Sequence, residues 1–143
     1  MSWRGSRLVG DGAEEVWMSR SEMIYLTIDG DDIGHKITSA YLINSTTDLV
    51  RINDLVQEKT RCIAEYLRKE NFVIHFCAAD GVAASIEYEL DMRRIFGQIE
   101  KIAGGEITFS AGVGTSLREA YVALLYAKNT GKKRLCDFRD IEA

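Results

Sequence analysis

Apolar positions along the chain fall into two rhythms, and the change from one to the other predicts the order of elements. Ile24 to Ile28 is rich in β-branched and aromatic residues and reads as a buried strand, which stops abruptly in the acidic run Asp29-Gly-Asp-Asp-Ile-Gly34. From His35 to Ile43 the apolar residues Ile37, Ala40, Tyr41 and Leu42 suit a short helix. Ser45-Thr-Thr-Asp48 has the form of a capping box opening a long amphipathic helix, with Leu49, Ile52, Leu55, Val56, Cys62, Ile63, Tyr66 and Leu67 at near-helical spacing as far as about Glu70. Phe72 to Cys77 lacks polar alternation and predicts a strand covered on both faces. Ala78-Ala79-Asp80-Gly81 then reads as a tight turn into a second strand from Val82 to Ile86, so Asp80 falls at a hairpin tip.

The second half continues the alternation. Tyr88 to Ile102 predicts an amphipathic helix stopped by Gly104-Gly105, and Ile107 to Val113 a strand. The small residues Ser110, Ala111 and Gly112 in that strand imply close approach by another backbone or a ligand. Ser116-Leu-Arg-Glu119 is a second capping box, opening a helix that ends near Asn129-Thr-Gly131, and Lys132 to Phe138 reads as a candidate closing strand. Residues 1–22, with Trp3 and Trp17 as their only large anchors, show no sustained period. They read as an N-terminal extension docked through the tryptophans, with residues 23–140 as the folded domain.

Strand, helices, hairpin, helix, strand, helix, strand is the order of an α+β, ferredoxin-like sandwich: helices on one face of a mostly antiparallel sheet. In such a sheet the end of the first strand and the tip of the central hairpin are neighbours, which brings Asp29 and Asp80 together. Like charges so placed need solvent, basic residues or a cation to offset them. The acidic turn therefore reads either as a solvated loop or as a divalent-metal site. An EF-hand does not fit, because Ile33 and Ala40 stand where its fifth and twelfth positions need oxygen ligands. Lys128, Lys132, Lys133 and Arg134 form a late basic cluster, whose plain reading is a solvated charge run.

Composition narrows the function classes. The 143 residues are 46% apolar and 28% charged, which suits one globular domain. A net charge of −4 argues against a protein that grips long nucleic acid through its phosphates, while leaving room for small nucleotides. No apolar run approaches the roughly 20 residues of a membrane span, and the first twenty residues lack the apolar core of a secretory signal. Cys62, Cys77 and Cys136 read as buried reduced thiols of a cytoplasmic protein, without the spacing of a zinc site. His75, flanked by apolar residues, reads as a packed core histidine.

Four spaced segments, Asp29-Gly-Asp-Asp-Ile-Gly34, Ala78-Ala-Asp-Gly81, Ser110-Ala-Gly-Val113 and Tyr126-Ala-Lys-Asn-Thr-Gly-Lys132, resemble the palm shared by GGDEF diguanylate cyclases and the CRISPR type III polymerase subunit. The acidic segment and compact length most resemble the minimal CRISPR polymerases, stand-alone palms associated with bacterial anti-phage defence, and the resemblance covers about Met23 to Phe138. It implies a cyclic di- or oligonucleotide synthase that uses nucleoside triphosphates, ATP first, and releases pyrophosphate at a two-metal Mg²⁺ or Mn²⁺ site. By position it implies Asp29, Asp80 and the Gly30 carbonyl as metal ligands, with Asp31 assisting catalysis. It also implies Gly30, Ala79 and Gly81 against the nucleotide, and Lys128 and Lys132 on the triphosphate. A symmetric homodimer is implied by the need for two facing sites, and a cyclic-nucleotide-responsive effector by the signalling role. The sequence departs from the cyclases at Ala78 and Ala79, where they carry glycines, and at Gly81, where they carry a second acidic residue. A palm that binds nucleotide as a sensor without turning it over, or a ferredoxin-like regulatory domain with a decorative acidic turn, are the alternative readings.

Overall fold

Strand alternation at the centre of the molecule sets the layers. The computed structural model describes residues 23–141 and the backbone of residues 5–9, 15–19 and 142. Gly5–Val9 (β1) and Glu15–Ser19 (β2) pair antiparallel in a two-stranded sheet of their own, a hairpin the unpatterned sequence did not predict; the side chains of Trp3 and Trp17 fall outside the described residues. Then follow Ile24–Gly30 (β3), Ile33–Leu42 (α1), Thr46–Lys69 (α2), Val73–Ala78 (β4), Gly81–Ile86 (β5) and Met92–Ala103 (α3). Phe109–Gly114 (β6), Leu117–Asn129 (α4), Leu135–Asp137 (β7) and Phe138–Glu142 (α5) complete the chain. The main sheet has the order β4-β5-β3-β6-β7, antiparallel except for the parallel β6–β7 pair.

β3 is the central strand. Leu26 and Ile28 point into a core shared with Ile52, Val56, Ile63 and Leu67 of α2 and Ile95 and Ile99 of α3, all nearly devoid of solvent contact. Tyr25, Thr27 and Asp29 alternate to the opposite face, level with Gly114, Gly112 and Ser110 of β6. That second face receives α4. A Cβ on Gly112 would lie 2.1 Å from the Ala120 carbonyl oxygen and 2.2 Å from the Leu124 amide nitrogen, so the helix backbone rests directly on the strand backbone at this glycine. The mixed α/β architecture with a mostly antiparallel sheet is as expected, and α2 and α3 share one face. α4 takes the other, because the small residues of β6 and the buried Ala120, Ala123 and Ala127 let two backbones meet.

The caps form where the sequence placed them. Ser45 Oγ accepts from the Asp48 amide and Ser116 Oγ from the Glu119 amide, both at 3.1 Å, and Gly104 ends α3 in the left-handed conformation. α3 starts later than its apolar pattern implied, because the Asp91 carboxylate caps the Arg93 and Arg94 amides. Three expectations are corrected at the sheet rim. β4 is an edge strand with Val73 and Phe76 more than half exposed, since only β5 flanks it. His75 is exposed rather than in the core, its ring stacked on Tyr25 and its Nε2 2.7 Å from Ser85 Oγ at an irregularity in the β4–β5 register. The three cysteines are unpaired, but Cys77 is exposed and Cys62 and Cys136 are only half-buried. No helix among the described residues is long and apolar enough to cross a membrane.

Candidate active site

Two turns and one helix end meet at the carboxyl end of β3. In the register of the sheet, Asp29 lies opposite Gly81 of β5 on one side and Ser110 of β6 on the other. The β4–β5 hairpin turns through Ala79 and Asp80, and the Gly30 amide donates to the Asp80 carbonyl at 3.0 Å, tying the hairpin tip to β3. A Cβ on Gly30 would sit 3.2 Å from both Asp80 Cβ and Asp80 Oδ2 and 2.8 Å from Ile33 Cγ1, so glycine is what lets the Asp80 carboxylate lie over this backbone. The convergence of Asp29 with Asp80 is therefore built by strand pairing. Burial first, and then the Asp80 charge, push the Asp29 carboxyl above its ordinary value, with Lys128 offsetting part of the effect.

Asp31 faces away from that pair. Its side chain is 2% exposed and both oxygens are engaged: Oδ1 accepts from Ser110 Oγ at 2.7 Å and pairs with the Lys128 ammonium at 3.1 Å, and Oδ2 accepts from Thr108 Oγ1 at 2.7 Å and from the Lys133 amide at 3.0 Å. Burial raises a carboxyl pKa, but here these hydrogen bonds outweigh it and hold Asp31 below its ordinary value, ionised. It thereby clamps β6, α4 and the loop before β7 behind the site. Thr108, which no sequence motif singles out, is half of that clamp.

Lys128, near the end of α4, projects into the same corner and is 18% exposed. Its ammonium lies 2.6 Å from the Gly30 carbonyl oxygen, 3.1 Å from Asp31 Oδ1, 3.3 Å from Asp29 Oδ2 and 3.4 Å from the Asp29 carbonyl oxygen. Lys132 stands further out at the mouth and pairs with the Asp32 carboxylate. Gly131, Lys132 and Lys133 all take positive φ, which is unfavourable for the two lysines and brings the Lys133 amide onto Asp31. Ala79, at the hairpin tip, also has positive φ (50°), and Gly81 leaves ordinary contact room beside Asp29 Oδ1, 3.6 Å from where its Cβ would be. Arg134, by contrast, turns back onto the Lys132 carbonyl.

Among the described residues no three His, Cys, Asp or Glu side chains cluster tightly enough to hold an ion by themselves. The donors that do converge are hard oxygens: the Asp29 and Asp80 carboxylates and the Gly30 carbonyl. The Lys128 contacts show that Gly30 O and Asp29 Oδ2 point at one place. Such a set fits Mg²⁺ or Mn²⁺, which take one or two carboxylates and complete their shell with water and substrate phosphate.

Comparison with solved structures places the fold. The chain superposes on the active GGEEF domain of a diguanylate cyclase from Vibrio cholerae with a TM-score of 0.63 at 16% identity, covering 83% of this chain and 84% of that one. It matches the GGDEF domain of DgcB from Caulobacter crescentus, solved with c-di-GMP, with a TM-score of 0.66 at 11% identity, covering 82% and 78%. A chain of the Csm1-Csm4 cassette, solved with AMPPNP, matches over 93% of this chain and 24% of its own length, with a TM-score of 0.62 at 13% identity. No curated protein matches the sequence. The family model described as the minimal CRISPR polymerase domain matches residues 25–138, a span running from β3 to the start of α5 that takes in the acidic turn, the hairpin and the lysines of α4 and its following loop. The chain belongs to the minimal CRISPR polymerase family.

Proposed function

We propose that this palm is a nucleotidyltransferase that joins nucleoside triphosphates, ATP first, into a cyclic di- or oligonucleotide. The observation that carries the reading is the meeting of Asp29, Asp80, the Gly30 carbonyl and Lys128 at one corner, from three elements far apart in sequence. The adenine preference is supported by the AMPPNP and cA3 complexes of the Csm1-Csm4 relatives.

In the reaction a ribose hydroxyl oxygen forms a bond to an α-phosphorus, the α–β phosphoanhydride bond breaks, and pyrophosphate leaves while the hydroxyl proton passes to solvent. Bound divalent ions, held by Asp29, Asp80 and Gly30 O, would supply Lewis-acid activation of the hydroxyl and neutralisation of the leaving group. The protein's own part is positioning. Asp31 fixes the corner from behind, Gly30 and Gly81 keep the floor free of side chains, and Lys128 and Lys132 meet the triphosphate charge. Each chain carries one such site, so ring closure on a dinucleotide calls for two palms facing each other in a symmetric homodimer. A cyclic product would act on a separate effector, in keeping with a defence role for the family.

Incubation of the purified protein with the four nucleoside triphosphates and Mn²⁺ or Mg²⁺, with mass spectrometry of the products, tests this. A cyclic nucleotide that is lost in Asp80→Asn supports the enzyme and names its base; absence of any product overturns it. One observation favours a second reading, a nucleotide sensor. Ala79 holds a backbone conformation suited to glycine at the position where the cyclases carry one. If the palm is a sensor, glycine at both 78 and 79 creates synthesis where the natural protein has none.

A further inference from the structure

Lys128 is held entirely by protein oxygens. Its ammonium donates to Gly30 O at 2.6 Å, and the nearest other oxygens are the carboxylates it pairs with, Asp31 Oδ1 at 3.1 Å and Asp29 Oδ2 at 3.3 Å. A lysine so engaged cannot bind a phosphate without giving up one of them. Two of the three, Gly30 O and Asp29 Oδ2, are the oxygens that fit a divalent ion. The third belongs to Asp31, whose carboxylate is buried and held by Ser110, Thr108 and the Lys133 amide.

We propose that Lys128 and a divalent ion compete for Gly30 O and Asp29 Oδ2, so that ion entry frees the ammonium for the triphosphate while Asp31 keeps hold of it as a pivot. The inference rests on the metal-dependent reading above and adds an order to it: the ion first, then the lysine onto phosphate. It also accounts for the site's tolerance of close acidic groups, since the same cation that later meets substrate offsets Asp29 beforehand. A lysine that stays put would instead hold the corner rigid and leave the phosphates to Lys132, whose ammonium at the mouth pairs only with the half-exposed Asp32 among the described residues.

The test is Mn²⁺ binding without nucleotide, read by electron paramagnetic resonance, in the natural protein, Lys128→Met and Lys132→Met. Competition predicts that Lys128→Met binds Mn²⁺ more tightly, by about tenfold, while its binding of ATP in the presence of Mn²⁺ weakens. Lys132→Met removes a nearby charge that touches neither oxygen and reports the purely electrostatic part, so its gain must be clearly smaller. Equal gains in both variants, or no gain in Lys128→Met, overturn the exchange while leaving the metal site standing. No Mn²⁺ binding in any of the three overturns the metal reading and the exchange with it. Should Lys128→Met fail to fold, the natural protein still decides. Its lysine ammonium signals are followed by ¹⁵N NMR during Mg²⁺ addition, with Lys128 assigned by its absence in Lys128→Arg. A signal that moves and loses protection supports release, and one that stays unchanged overturns it.

Discussion

Replacing Asp31 by Asn keeps the volume and removes the charge at the buried clamp. Whichever oxygen becomes the amide then faces two former donors. On either side one is a hydroxyl, Ser110 or Thr108, which can rotate and accept instead. The other cannot: it is the Lys128 ammonium on one side and the Lys133 backbone amide on the other. The variant therefore loses a hydrogen bond to a charged group, about 1.5–3 kcal/mol, and leaves a donor opposed by a donor, about 1–3 kcal/mol more. The expected loss is about 3–5 kcal/mol, a large share of the roughly 5–15 kcal/mol that holds a domain together. Urea unfolding followed by circular dichroism at neutral pH reads it as a lowered midpoint at unchanged slope. The sign with pH is set by the depressed pKa. The contribution of ionised Asp31 is fully present above its unfolded value of 3.8 and fades as pH falls through the lower folded value. The gap between natural protein and variant must therefore close in acid. A loss below about 1 kcal/mol at neutral pH, or a gap that stays constant in acid, would refute the clamp.

Three further outcomes follow from the same geometry. Gly112→Ala places a Cβ about 1.3 Å short of ordinary contact with the backbone of α4, which must lift; the cost is about 3 kcal/mol or more, seen as a Tm drop of roughly 10 °C, and a drop under about 3 °C would show that the helix does not rest on the strand. Ala79→Gly relieves a left-handed alanine at the hairpin tip and stabilises by about 1 kcal/mol in chemical denaturation, whereas a destabilised variant would contradict the backbone conformation there. Asp80→Asn removes the charge that helps raise the Asp29 carboxyl, so the Asp29 titration followed by ¹³C NMR moves to lower pH. Because a raised carboxyl pKa costs stability as pH rises from 3.8 through the folded value, this variant is also the more stable one at neutral pH in the absence of divalent ions. An unmoved Asp29 midpoint would uncouple the two carboxylates.

Element order, both serine caps, the Gly104 stop and the tight hairpin were legible because each rests on local chemistry: hydrophobic period, side-chain oxygens beside free amides, and backbone freedom. The meeting of Asp29 and Asp80 was legible too, since a central strand paired with a neighbouring hairpin leaves few other places for them. What the local pattern does not carry is which side of the sheet a neighbour covers. The apolar run of β4 reads as buried, yet the strand lies at the rim with one partner, and His75 and Cys77 are exposed with it. Likewise Asp29 and Asp31 look alike as two acids in one turn. Only the packing of α4 against the glycines of β6, and the loop after it, leaves one beside Asp80 and sends the other onto Ser110 and Thr108, more than seventy residues away. The sequence alone determined the elements and the acidic corner, because those depend on neighbours in the chain. The tertiary structure decided which acid is left beside Asp80, which acid braces and where Lys128 points, because those depend on contacts that form only when distant strands and helices are brought together.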